Sequence, residues 1–226
     1  MYSRLFQDKN EIGFLAKADE LDSLFSDETH TSTMIGGYVK QVDIEDTFMT
    51  LSKSYFESSL LYVDFLIDNG DYADFEVLNV IHNVLIGIEL SLKSFLSTIM
   101  QFNSDEWMIP ASEIKNGHSY RSFIGQIRSS IAQAYEERLI ESKDKQWLFK
   151  HIAIIEKFIQ QTEEQDITFI SSRYPINRDQ KLYGYMSKDV NIDLLVLREW
   201  IFILFNSCSQ ISNIKYYLDD ARDNYS

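Results

Sequence analysis

Residues 74–102 read as one long helix whose apolar side chains point in nearly every direction. Leu78, Ile81, Leu85, Ile88, Leu92, Phe95, Leu96 and Ile99 recur at helical spacing without keeping to one stripe. A helix that is apolar all round must be covered all round, so it belongs in the middle of a bundle. The chain therefore has to supply several more helices to wrap it. It has the means: its 226 residues include only two prolines, Pro110 and Pro175, and eight glycines, so helix breakers are scarce.

The wrapping helices show as periodic runs. The first, 46–68, carries Phe48, Leu51, Tyr55, Leu60, Tyr62, Phe65 and Leu66. Asp43 or Asp46 offers it an N-cap, and Asn69-Gly70 a stop. A helix over 118–141 has Ser119 as candidate N-cap. Another, 145–162, carries Trp147, Leu148, Ile152, Ile155 and Phe158. The last, 192–219, starts at Asn191 or Asp193 and is again apolar on most sides. Between them, DITFISSRY and KLYGYMS are short, aromatic and β-branched, which predicts a hairpin or extended segment near 167–186. The expected fold class is all-α, a helical bundle of about five main helices. Residues 1–45 read as an N-terminal arm packed on the body, with a minor helix over 11–25, and residues 46–226 as the bundle.

Charge narrows the function classes. The formal net charge is −14, from 35 acidic and 21 basic residues. Affinity for nucleic acid without sequence preference comes from neutralising phosphates, so a nonspecific nucleic-acid coat protein is disfavoured, as is attachment to anionic lipid. The lone cysteine, Cys208, cannot form an internal disulfide, and its apolar surroundings predict a buried core thiol. The N-terminus lacks a signal-like apolar run. The most apolar segment, 194–205, contains Arg198 and Glu199 and is too short to span a bilayer. The expectation is a soluble, cytoplasmic protein with no membrane association. There is no glycine-rich phosphate loop, and one cysteine with four scattered histidines gives no zinc pattern. No cofactor and no metal are expected.

Three local strings hold the remaining polar interest. On the central helix, His82, Glu89 and Lys93 fall within an arc of about 40°. Glu89 and Lys93 stand at i, i+4 in the favourable order. If the helix is central, this stripe must meet polar partners, because an unpaired buried charge is costly. An ion pair ordering the bundle and a ligand-lining stripe both satisfy that demand. In the second string, NGHSYRSF (116–123), His118 opens a helix, where the dipole disfavours its cation. Arg121 stands one turn on and could reach the same polar groups. In the third, ISSRYPIN (170–177), Pro175 holds Tyr174 extended. Arg173 could then fork onto a carboxylate such as Glu89 or bind a phosphate. Arg173, Arg178 and Lys181 form a locally basic, candidate phosphate-binding patch, which equally fits a solvated loop. The paired glutamates at 136–137 and 163–164 read as solvated faces.

In this order the strings resemble the HEPN family of helical domains. That family carries an E-x-x-x-K pair on a long helix, here Glu89 and Lys93 within ELSLK. A Gly-His then opens the next helix, here Gly117 and His118. In several branches an Arg-Tyr-Pro segment leads through an acidic, aliphatic stretch, here NIDLL (191–195), into the final helix. The resemblance spans roughly residues 46–220. It implies a helical bundle, dimerisation through helices, and a place in bacterial toxin–antitoxin or phage-defence systems. Catalytic members pair an Arg with a His, four to six residues between them, near the start of the last helix, for metal-independent RNA cleavage. Here Ile203, Leu204 and Phe205 stand at those positions after Arg198, and no other arginine and histidine have that spacing.

The expectation is therefore a HEPN-like binding or regulatory protein without catalytic residues, present as a homodimer and able to engage a protein partner. The final helix, with Trp200, Phe202 and Phe205, offers a dimer seam. Two alternatives stay open. One is a metal-independent ribonuclease with a rearranged site from His82, His118 and Arg173. The other is a nucleotide- or phosphate-binding module using Arg173, Arg178 and Lys181. The acidic net charge favours neither RNA nor nucleotide.

Overall fold

The chain divides into two units, Met1–Gln41 and Val42–Ser226. The computed structural model describes residues 44–69, 73–102, 119–172, 179, 181–187 and 190–213, all in the second unit. The expected N-terminal arm thus lies almost wholly outside the described residues.

The described residues form an all-α bundle. Its helices are α1 (Ile44–Asp68), α2 (Ala73–Phe102), α3 (Tyr120–Glu136), α4 (Ser142–Glu163), the single turn α5 (Gly184–Ser187) and α6 (Leu194–Ser212). As its sequence requires, α2 is the central helix: Val80, Val84, Leu85, Ile88, Leu92, Phe95 and Leu96 are all buried.

Pairwise contacts give the helix directions. Ser52 Oγ of α1 donates to Gly87 O at 2.7 Å and Ser59 Oγ to Val80 O at 3.5 Å, so α1 and α2 run antiparallel. The two helices approach closely here. A Cβ on Gly87 would sit 3.0 Å from the Phe56 ring, a tight contact that the buried ring would have to yield to. Along α1 and α6, contacts step from Met49–Ser212 through Phe56–Phe205 to Asp64–Arg198, again antiparallel. Along α4 and α6 they step from His151–Ser207 to Phe158–Trp200. Thus α6 lies against both α1 and α4, with Leu197, Ile201, Leu204, Cys208 and Ile211 turned into the core.

Three boundaries differ from expectation by three residues or more. The predicted 118–141 helix stops at Glu136 because Arg138 takes a left-handed φ of 62°. Its N–H donates to Tyr135 O and that of Leu139 to Ala134 O, the two bonds of a Schellman turn. The next helix starts at Ser142, ahead of the predicted 145, because the Asp144 carboxylate accepts the Glu141 N–H at 3.0 Å. The last helix ends, among the described residues, at Ser212, with Asn213 as its C-cap.

Residues 163–190 contain no paired strands among those described. The described residues of this stretch form a tight turn after α4 and the single turn α5. Short polar side chains take up the backbone groups a hairpin ladder would use. Ser171 Oγ donates to Asp166 O, Tyr185 Oη to Ser171 O, and the Gly184 N–H to Asp166 Oδ2.

Candidate functional site

The polar stripe of α2 serves two different environments. Lys93 Nζ lies 2.7 Å from Glu89 Oε1, with both side chains 6% exposed. The Lys93 ammonium also sits 5.7 Å from the centre of the Phe123 ring on α3. Ser91, Ser94, Ser97 and Thr98 are buried on the same half of α2, and Thr98 Oγ1 donates to Ser94 O at 3.1 Å. An ion pair sealed in this way compensates its own burial, and removing one partner leaves a buried charge. It is closed to a substrate unless the bundle opens.

His82, two turns earlier, faces the turn after α4. Its Nδ1 is 2.8 Å from Ser172 Oγ, and its ring centre is 5.3 Å from that of Phe169. Arg121, expected to join the central cluster, instead crosses to α4, where it donates to Glu163 Oε2 at 2.9 Å. Glu163 is therefore a bridging residue and not merely part of a solvated face, whereas Glu136, Glu137 and Glu164 are exposed as expected. His118, Arg173 and Arg178 lie outside the described residues. Lys181 is exposed.

Two clefts adjoin the Arg121–Glu163 bridge. One, of about 190 Å³, has Leu85, Tyr120, Ile159, Ile167 and Phe169 among its walls. The other, of about 520 Å³, runs along α3 and α4 past Gly125 to the Arg128–Glu156 pair. Tyr120, Arg121, Ile159 and Glu163 line both.

Elsewhere, His151 Nδ1 on α4 is 3.2 Å from Ser207 Oγ on α6, with Trp147 edge-on at 4.7 Å. Burial, and then the Lys150 charge, hold the His151 imidazole below its ordinary pKa. The Cys208 thiol is fully buried, as expected. Burial pushes its pKa up to about 12, against a smaller opposing effect from a hydrogen bond with Ser91. That keeps it a protonated core thiol. Among the described residues no three His, Cys, Asp or Glu side chains cluster in a way that could hold a metal ion.

The outer face of α6 is the most unusual surface. Leu195, Val196, Phe202 and Ile203 are exposed, opposite the side turned into the core, with Glu199 and Asn206 between them. Of the three aromatics expected in a dimer seam, only Phe202 faces outward. Trp200 packs on Phe158 and Phe205 on Phe56. Among the described residues two stretches, Glu76–Thr98 and Leu194–Ser212, are long and apolar enough to cross a membrane. The expectation from 194–205 alone understated that length. The first stretch is 78% buried and the second 33%, so the first is core and only the second has apolar surface to offer.

No protein-family model, curated protein or solved structure matches the chain. Ser172, Phe169, Glu163 and Ser207 complete the polar contacts but gave little warning in the sequence. Only the Glu-rich end of α4 carried a signal, and it read as solvated.

Proposed function

We propose that this chain is a HEPN-like helical protein that binds and regulates instead of cleaving RNA. In this reading it is a cytoplasmic homodimer serving a bacterial defence or toxin–antitoxin-like system. The observation that carries the reading is the outward face of α6. One helix turns its first apolar face into the core and leaves Leu195, Val196, Phe202 and Ile203 in water. Exposed apolar side chains gathered on one helix face, here around Glu199 and Asn206, are characteristic of an interaction surface, and a two-fold pairing of α6 with its copy would cover both faces at once.

The other support is the condition of the family-like motif. Glu89 and Lys93 are spent on each other inside the bundle. A cleaving site needs its groups within reach of the scissile phosphate.

Sedimentation velocity tests the pairing. The wild-type chain is expected to run as a dimer, and Phe202→Glu with Ile203→Glu as a folded monomer with unchanged circular dichroism. A wild-type monomer at every concentration contradicts the pairing. In a parallel arm, RNA incubated without added metal is expected to stay intact. Cleavage that disappears in His82→Ala would establish the ribonuclease alternative instead.

A further inference from the structure

The smaller cleft is apolar inside and carries two opposite charges at its edge, and the proposed pairing through α6 uses none of it. Its walls come from four parts of the bundle: Leu85 of α2, the Tyr120 ring of α3, Ile159 of α4, and Ile167 and Phe169 of the following turn. At about 190 Å³ it exceeds the roughly 150 Å³ of an apolar cavity that takes up benzene. One substituted ring or one branched aliphatic chain fits such a space.

The uncharged polar side chains around it are committed. Thr162 Oγ1 donates to Ile159 O at 2.9 Å, Thr168 Oγ1 is 3.1 Å from Ser171 Oγ, and Ser119 Oγ accepts the Ser122 N–H. The charged groups are Arg121 and Glu163, 2.9 Å apart, with side chains 85% and 33% exposed. An exposed pair adds little to stability, so a ligand that supplies each member with a new partner displaces little.

The geometry points to a binding site for a free apolar α-amino acid. Its carboxylate takes the fork of Arg121, its ammonium takes Glu163, and its side chain enters the cleft beside Leu85 and Phe169. A planar guanidinium suits a carboxylate in two-point contact. A phosphate, free or on a nucleotide, would gain the same cation but meet the Glu163 carboxylate. A neutral apolar molecule would fill the space without engaging either charge. This site stands independently of the family resemblance and of the dimer.

Titration calorimetry on the full chain decides the matter. The probes are L-phenylalanine and L-leucine, compared with 3-phenylpropionate, which lacks the ammonium, and phenethylamine, which lacks the carboxylate. At least one amino acid is expected to bind. L-phenylalanine, if it binds, should do so about tenfold more tightly than either single-charge analogue. Arg121→Gln and Glu163→Gln should each weaken amino-acid binding about tenfold, with circular dichroism unchanged. Arg198→Gln, at the α1–α6 contact, should leave it unaltered. Silence from both amino acids, equal affinity for L-phenylalanine and its analogues, or binding indifferent to Arg121→Gln would overturn the assignment.

Discussion

Arg138 carries a conformational cost that its side chain does nothing to repay. It is exposed, and its φ of 62° lies where an L-residue is disfavoured by roughly 1–2 kcal/mol. Glycine takes that conformation freely, at some entropic cost in the unfolded chain. Arg138→Gly is therefore expected to raise stability by about 0.5–1 kcal/mol, read as a higher urea midpoint at unchanged slope. A lower midpoint would mean that the guanidinium has a role beyond the turn. Asp166 ends α4 with a φ of 59°, but its carboxylate also accepts from the Gly184 N–H at 3.1 Å, so the same exchange there loses a bond. These two residues show why helix ends were harder to read than helix interiors. Ser119 announced its cap, since short polar side chains prefer that place, and its Oγ accepts the Ser122 N–H. The stop at Arg138 used a residue type with no preference for stopping, and the expected helix ran past it.

Between elements, the α4–α6 contact is the one that pH should reach. His151 lies against Ser207 and Trp147, and burial followed by Lys150 lowers its pKa. The sign follows from proton counting. Below the ordinary value of 6.5 the unfolded chain binds a proton that the folded chain resists. Stability from this group is thus constant above pH 6.5 and falls as pH drops below it, levelling off under the folded pKa. The wild-type protein should lose more stability between pH 7 and pH 5 than His151→Asn does. Urea unfolding of both at the two pH values checks this, and equal losses would refute it. Periodicity had placed His151 on a helix but could not place Ser207 opposite it. Two helices distant in sequence meet in a register that only the packed core sets. The same limit explains Arg121: its reach was legible, but its partner, Glu163, depended on how α3 lies along α4.

For the whole molecule, the fold was readable because one helix left few choices. An apolar cylinder over 74–102 demands a bundle around it, and α2 lies at the centre with Val80, Val84, Ile88 and Leu96 buried. The site was less readable, because a polar stripe on a central helix fits both architecture and a ligand groove. Burial separates the two for Glu89 and Lys93, each 6% exposed and bonded at 2.7 Å. The same stripe leaves His82 half-buried against the turn at Ser172, so its members do different work. The central claim is that the E-x-x-x-K pair is a buried structural ion pair within α2, each partner compensating the other's charge. A double-mutant cycle on Glu89→Leu and Lys93→Leu, followed by equilibrium unfolding, tests this most directly. Each single change should cost about 3–5 kcal/mol by stranding a buried charge, and the double change should recover most of that loss. Single variants within about 0.5 kcal/mol of wild type, with additive effects in the double, would contradict the claim and return the pair to the list of exposed, functional groups.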